Sequence, residues 1–191
     1  MTTIVNILTD RYADWECALV MAVGRSYYGL NVLTAAPDGG PVTSAGGLKV
    51  TPDMALEDLS PAEFDMLLIN GGGIWETEEA PSLSALLYNT RAIDKPIGAI
   101  CAATLTLARS GLLDCVAHTS NDAALLQQVP AYKGSSHYVD GPNAISADRI
   151  VTAAGTSPVT FMKEIMKLLG KGGPELDYYI GLHAAEHRQA A

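Results

Sequence analysis

Apolar positions along this chain follow two periods in alternation. Ile4-Val5-Asn6-Ile7-Leu8, Leu30 to Ala35, Phe64 to Ile69 and Pro96 to Ile100 are short, dense apolar runs, the pattern of strands buried on both faces in a parallel sheet. Between them the spacing becomes three-four: Trp15, Leu19, Ala22, Val23 and Tyr27; Leu83, Leu86, Leu87 and Ile93; Leu105, Leu107 and Ala108; Phe161, Ile165, Leu168 and Leu169. Each set makes one apolar helix face. Asp14 and Ser82 are expected N-caps, Gly29 and Gly111 helix ends, and Pro158 a first-turn proline.

Strands alternating with crossover helices predict a three-layer α/β/α sandwich around a mostly parallel, doubly wound (flavodoxin-like) sheet. Residues 1–191 are read as one domain. Two short runs, Val42-Thr43-Ser44 and Leu48-Lys49-Val50-Thr51, flank Ala45-Gly46-Gly47 and predict a hairpin excursion. Val116 to Asn121 reads as a short strand, Asp122 to Gln128 as a capped helix, and Leu176 to Arg188 as a terminal helix. His137-Tyr138-Val139 and Ile150 to Ala153 are expected to pair as antiparallel edge strands.

Composition narrows the partners. A net charge of −9 without a Lys/Arg run offers phosphates no basic face, which argues against nucleic acid and anionic membranes. Cys17, Cys101 and Cys115 are odd in number and lack C-x-x-C spacing, so neither a disulfide framework nor a zinc site is indicated. A reducing cytoplasm is the expected compartment. The apolar start at Ile4 lacks the basic flank and length of a signal segment, and no cofactor motif is present. Gly71-Gly72-Gly73 does not continue as G-x-G-x-x-G, because Glu76 stands at the last position. A small-molecule substrate remains.

The candidate chemistry sits at Pro96-Ile97-Gly98-Ala99-Ile100-Cys101-Ala102-Ala103-Thr104. An apolar strand breaks at a cysteine and resumes as a helix, with Ala99 and Ala103 two residues to either side, where a nucleophile elbow needs small side chains. Cys101 would then lie at a helix N-terminus, an environment that favours thiolate. Packing of a plain core cysteine is the competing reading. Two further features fall at the same carboxyl edge of the sheet, where chemistry collects in such folds: Glu16 in the first helix and the Asn70-Gly71-Gly72-Gly73 turn. Read without that context, Glu16 is a first-turn residue complementing the helix dipole.

Taken together, Ala99-Ile100-Cys101-Ala102-Ala103, Asn70-Gly71-Gly72-Gly73 and Glu16 resemble the ThiJ/PfpI superfamily, which includes intracellular protease I and the parkinsonism-associated deglycase and is related to class I glutamine amidotransferase domains. The resemblance spans nearly the whole chain. It implies a homodimer in which Cys101 is the reactive cysteine, Glu16 the acid hydrogen-bonded to its sulfur, and the N–H groups of Gly72 and Ala102 an oxyanion hole. A carboxylate beside a thiol raises its pKa, whereas a protonated carboxyl can donate to a thiolate, so the two should titrate as a coupled pair.

The chain departs from the family pattern where a base is expected. Ala102 stands where many relatives have histidine, and the amidotransferase His-x-Glu is absent. His118 is the candidate site histidine, with hydrogen-bonded structure as its competing reading. His183 and His187, at i,i+4 spacing without a nearby third ligand, read as a solvated terminal face, and no metal is assigned. Cys17 is core or a resolving thiol. Three readings follow: a cysteine-dependent hydrolase or glyoxalase/deglycase-like enzyme acting on a small carbonyl or acyl compound; a redox sensor oxidised at Cys101; and an inert homo-oligomer. The polar side chain besides Glu16 that reaches the Cys101 sulfur separates them, a histidine there favouring the enzyme.

Overall fold

In the computed structural model, which describes residues 1–186, the strands are β1 (Thr3–Ile7), β2 (Asn31–Ala36), β3 (Val42–Thr43), β4 (Lys49–Val50), β5 (Met54–Ala55), β6 (Met66–Ile69), β7 (Ile97–Ile100), β8 (Ile145–Ala147) and β9 (Ile150–Ala153). The helices are α1 (Asp14–Ser26), α2 (Ser84–Ala92), α3 (Thr104–Arg109), α4 (Ala123–Gln127), α5 (Pro158–Leu168) and α6 (Pro174–Ala185). A seven-stranded sheet runs β5-β2-β1-β6-β7-β9-β8, parallel throughout except where β8 turns back on β9. The hairpin β3-β4 stands apart from it.

Every residue of β6, β7 and β9 is buried because helices cover both faces, so these strands read as continuous apolar runs rather than alternating ones. One face packs against α1, α5 and Leu176 of α6, the other against α2, α3 and α4. Helix α5 buries Phe161, Met162, Ile165 and Met166, on the order of 10 kcal/mol of apolar transfer as an upper estimate.

Several local expectations are corrected. Asp14 is the first helical residue rather than the N-cap, which is Ala13; its carboxylate instead accepts the Gly46 N–H at 2.7 Å and ties the hairpin to α1. Ser82 does not cap α2, which starts at Ser84 after Leu83. Val116 to Asn121 forms no strand, only a single bridge from His118 to Tyr138. His137 belongs to a 3-10 turn, Ser135–His137, and the antiparallel edge is built by Ile145–Ala147. The turn between β8 and β9 holds Asp148 and Arg149 at φ of +43° and +60°. Two consecutive left-handed residues fit the twist of a tight hairpin, and without Asn-Gly the sequence hid it. Arg188 and His187 lie outside the described residues.

Candidate active site

The strand β7 delivers Cys101 to the carboxyl edge of the sheet in a left-handed conformation, φ +62°. For a residue with a Cβ this backbone costs about 1–2 kcal/mol, and the surroundings hold it. The Thr104 hydroxyl donates to the Cys101 carbonyl at 2.8 Å and lies 2.7 Å from the Ser120 hydroxyl, while Ala99 and Ala103 are fully buried and let strand and helix close together. The chain then makes one 3-10 turn, Cys101–Ala103, before α3. The amide of Ala102, in that first turn, has no helical acceptor and faces the Cys101 sulfur, and the amide of Gly72 has no backbone acceptor among the described residues.

Glu16 is fully buried against the same sulfur. Two glycine backbones make the room. A Cβ on Gly71 would collide with Glu16 Oε2 and stand 2.6 Å from Cys101 Cβ; one on Gly155 would stand 2.6 Å from Glu16 Oε1 and 3.1 Å from Cys101 Sγ. Neither carboxyl oxygen has a well-formed hydrogen bond, although the Cys101 thiol and the Gly71 amide both face it and favour its ionised form. Burial outweighs them, and the Glu16 carboxyl is pushed up to about 7. Such a group is far from a surface glutamate complementing a dipole.

The thiol moves the same way. Burial and then the charge of Glu16 push Cys101 up to about 11, against the opposing pull of Asn121 and the Ala102 amide. The expected thiolate-favouring helix terminus is thus outweighed, chiefly by burial. Once Glu16 carries a proton its repulsion of the thiolate disappears and the carboxyl becomes a donor to sulfur.

Sequence reasoning brought Cys101, Glu16, Gly72 and Ala102 to one place; the structure sets Glu16 against Cys101 and the Ala102 amide toward its sulfur, while the glycine packed against both side chains is Gly71 and its neighbour Gly72 lies against Arg11 and Tyr12. His118 is not at the site. It is fully buried, its Nδ1 2.7 Å from the Val116 carbonyl and its Nε2 2.7 Å from the Tyr132 hydroxyl, with both Tyr132 and Tyr138 edge-on to the ring. Nδ1 therefore donates and Nε2 accepts, and desolvation lowers its pKa. The side chain that does reach the sulfur is Asn121, whose Nδ2 donates to Sγ at 3.1 Å. Its Oδ1 accepts the Gly155 N–H at 2.8 Å, and the Gly155 carbonyl accepts Trp15 Nε1 at 3.0 Å. Asn121 was not singled out from sequence, its nearest signal being its place just before the helix-capping Asp122; Gly155 stands in Ala154-Gly155-Thr156-Ser157, which resembles the family's last strand-to-helix turn, without a role in the site assigned to it. Cys17 is buried and pushed up to about 12, chiefly by desolvation, on the hairpin side of α1. Among the described residues no group of His, Cys, Asp and Glu is arranged to hold a metal, and no helix is long and apolar enough to cross a membrane.

The sequence as a whole matches the model of the DJ-1/PfpI family over residues 2–168. The chain belongs to the DJ-1/PfpI family. Among relatives, it is 33% identical over 171 residues to the uncharacterized protease YoaZ of Bacillus subtilis, covering 85% of this chain and 81% of that one. To the glutathione-independent glyoxalase DJR-1.2 of Caenorhabditis elegans it is 32% identical over 152 residues, covering 77% of this chain and 76% of that one. Among solved structures, the DJ-1 superfamily protein Atu0886 of Agrobacterium tumefaciens superposes with a TM-score of 0.96 at 47% identity, covering 98% of this chain and 100% of that one. The three-layer, mostly parallel architecture is that of the family.

Proposed function

We propose that this protein is a cysteine-dependent enzyme acting on a small carbonyl compound, with Cys101 as nucleophile and Glu16 as the proton carrier. The observation that carries this reading is the fully buried carboxyl of Glu16, short of hydrogen bonds, set against a thiol on a left-handed elbow. An inert site has no reason to keep both a strained backbone and an undersatisfied buried acid. The relative named as a glyoxalase supports a carbonyl substrate.

The chemistry follows from the proton inventory. The Cys101 proton passes to the Glu16 carboxylate, so the pair keeps its charge while the sulfur becomes a thiolate. Sulfur then bonds to the aldehyde carbon, and the carbonyl π pair moves onto oxygen. The amides of Gly72 and Ala102 hold that oxyanion, a role for which one such donor is typically worth about 3–4 kcal/mol, and Glu16 returns its proton to form the hemithioacetal.

The test is consumption of methylglyoxal without added thiol. Cys101→Ser is expected to abolish turnover, and Glu16→Gln to lower it by about 100-fold or more. A Cys101→Ser rate equal to the wild type sinks the reading.

A further inference from the structure

From its two hydrogen bonds we infer that Asn121 is the positioning residue of the site: a fixed amide donor aimed at Cys101 Sγ that stabilises the thiolate without accepting its proton. The inference rests on Cys101 being the reactive group and goes beyond it by assigning the sulfur a second side-chain partner besides Glu16.

The amide has one orientation. The Gly155 N–H can only donate, so the atom facing it at 2.8 Å must be Oδ1, and the atom facing sulfur at 3.1 Å must be the NH2 group. An amide flip would set a donor against a donor and an acceptor against the thiolate. Gly155 is itself held from its other side by the Trp15 indole, so the donor is braced by backbone across the edge of the sheet. A side-chain amide does not titrate, and it therefore lowers the cost of the thiolate while leaving the proton with Glu16.

The groups facing the sulfur are few. From α1 comes Glu16. Asp14 of the same helix turns to the Gly46 amide, and Cys17 packs with Leu8, Tyr12 and Val42. Beyond Asn121, the Asp122 carboxylate caps α4 through the Ala124 N–H at 2.7 Å, and His118 is bound to Val116 and Tyr132. The glycine turn and the Gly155 loop contribute backbone only. Among these groups Glu16 and Asn121 are the two side chains that address Sγ, one titrating and one not.

The experiment is the pH dependence of iodoacetamide alkylation at Cys101, followed by peptide mass spectrometry so that Cys17 and Cys115 are read separately, in the full chain. Asn121→Ala is expected to raise the midpoint and to slow alkylation at neutral pH by roughly three- to tenfold. Asn121→Asp keeps an acceptor for Gly155 N–H, so the loop stays braced, but sets a carboxylate where the donor was; its midpoint is expected to rise by more than that of Asn121→Ala. A merely structural asparagine would change melting temperature and leave these midpoints in place. Wild-type midpoints in Asn121→Asp overturn the inference even if Asn121→Ala fails to fold. Failure of wild-type Cys101 to alkylate at any pH instead overturns the reading of Cys101 as reactive, and the Asn121 inference with it.

Discussion

Two polar clusters lie close together in sequence and are built on opposite principles. Both ring nitrogens of His118 have found a partner: the Val116 carbonyl, the Tyr132 hydroxyl and two aromatic edges enclose the ring. Around Cys101 the buried carboxyl of Glu16 has no well-formed hydrogen bond among the described residues, and the backbone is held in a left-handed turn. Completed hydrogen bonding stabilises and fixes a core; incomplete hydrogen bonding, maintained by packing, leaves groups ready to meet something else. A histidine is the usual first suspect for proton transfer, yet here the group we propose for it is the carboxyl.

The contrast is broken most severely at Gly155. Gly155→Ala puts a methyl 2.6 Å from Glu16 Oε1 and 3.1 Å from Cys101 Sγ; overpacking of this kind costs about 1–3 kcal/mol of stability, and turnover is expected to be lost. Near-normal methylglyoxal consumption in that variant would show that the tight packing of thiol against carboxyl is dispensable.

Glu16→Gln sharpens the contrast through pH. The Glu16 carboxyl is raised on folding, from the ordinary 4.5 to about 7. Its favourable contribution is therefore fully present below about 4.5 and lost as pH rises through about 7, because above that range the folded state must bury a charge. The stability of Glu16→Gln relative to wild type should rise by about 3 kcal/mol between those limits, measurable by urea denaturation at each pH. A difference independent of pH would mean that Glu16 titrates as an ordinary glutamate.

His118→Ala should act in the opposite sense. It strips partners from Tyr132 and the Val116 carbonyl, costing about 1–3 kcal/mol, while turnover per folded molecule stays near wild type. Loss of turnover in a folded variant would return His118 to the chemistry. The smallest effect is expected for Trp15→Phe, which removes only the bond from an exposed indole to the Gly155 carbonyl, worth about 1 kcal/mol; a slight rise in the Cys101 alkylation midpoint would register the loosened brace.

What was legible in the sequence follows the physics of periodicity. The strand β7 could be read because burial on both faces makes Ile97 to Ile100 uniformly apolar, and the elbow because Ala99 and Ala103 are small where two backbones meet. Glu16 and the glycine turn were found through the edge of the sheet they share with Cys101. Asn121 escaped because it sits in a loop whose position is set by tertiary bonds, its amide by Gly155 N–H, and loops carry no period. His118 was misplaced for the same reason: no strand forms there, and the ring turns toward Tyr132. Asp14 looked like a cap until the hairpin amide of Gly46 claimed its carboxylate.

The central claim is that a buried carboxyl, rather than a histidine, holds the proton beside Cys101. Its most direct test is the titration of Glu16 by carboxyl carbon NMR in the folded protein, with Glu16→Gln to assign the resonance. A midpoint near 7 is expected, and a higher one in Cys101→Ala, where the thiol no longer favours the ionised form. A midpoint near 4.5 in both proteins would contradict it.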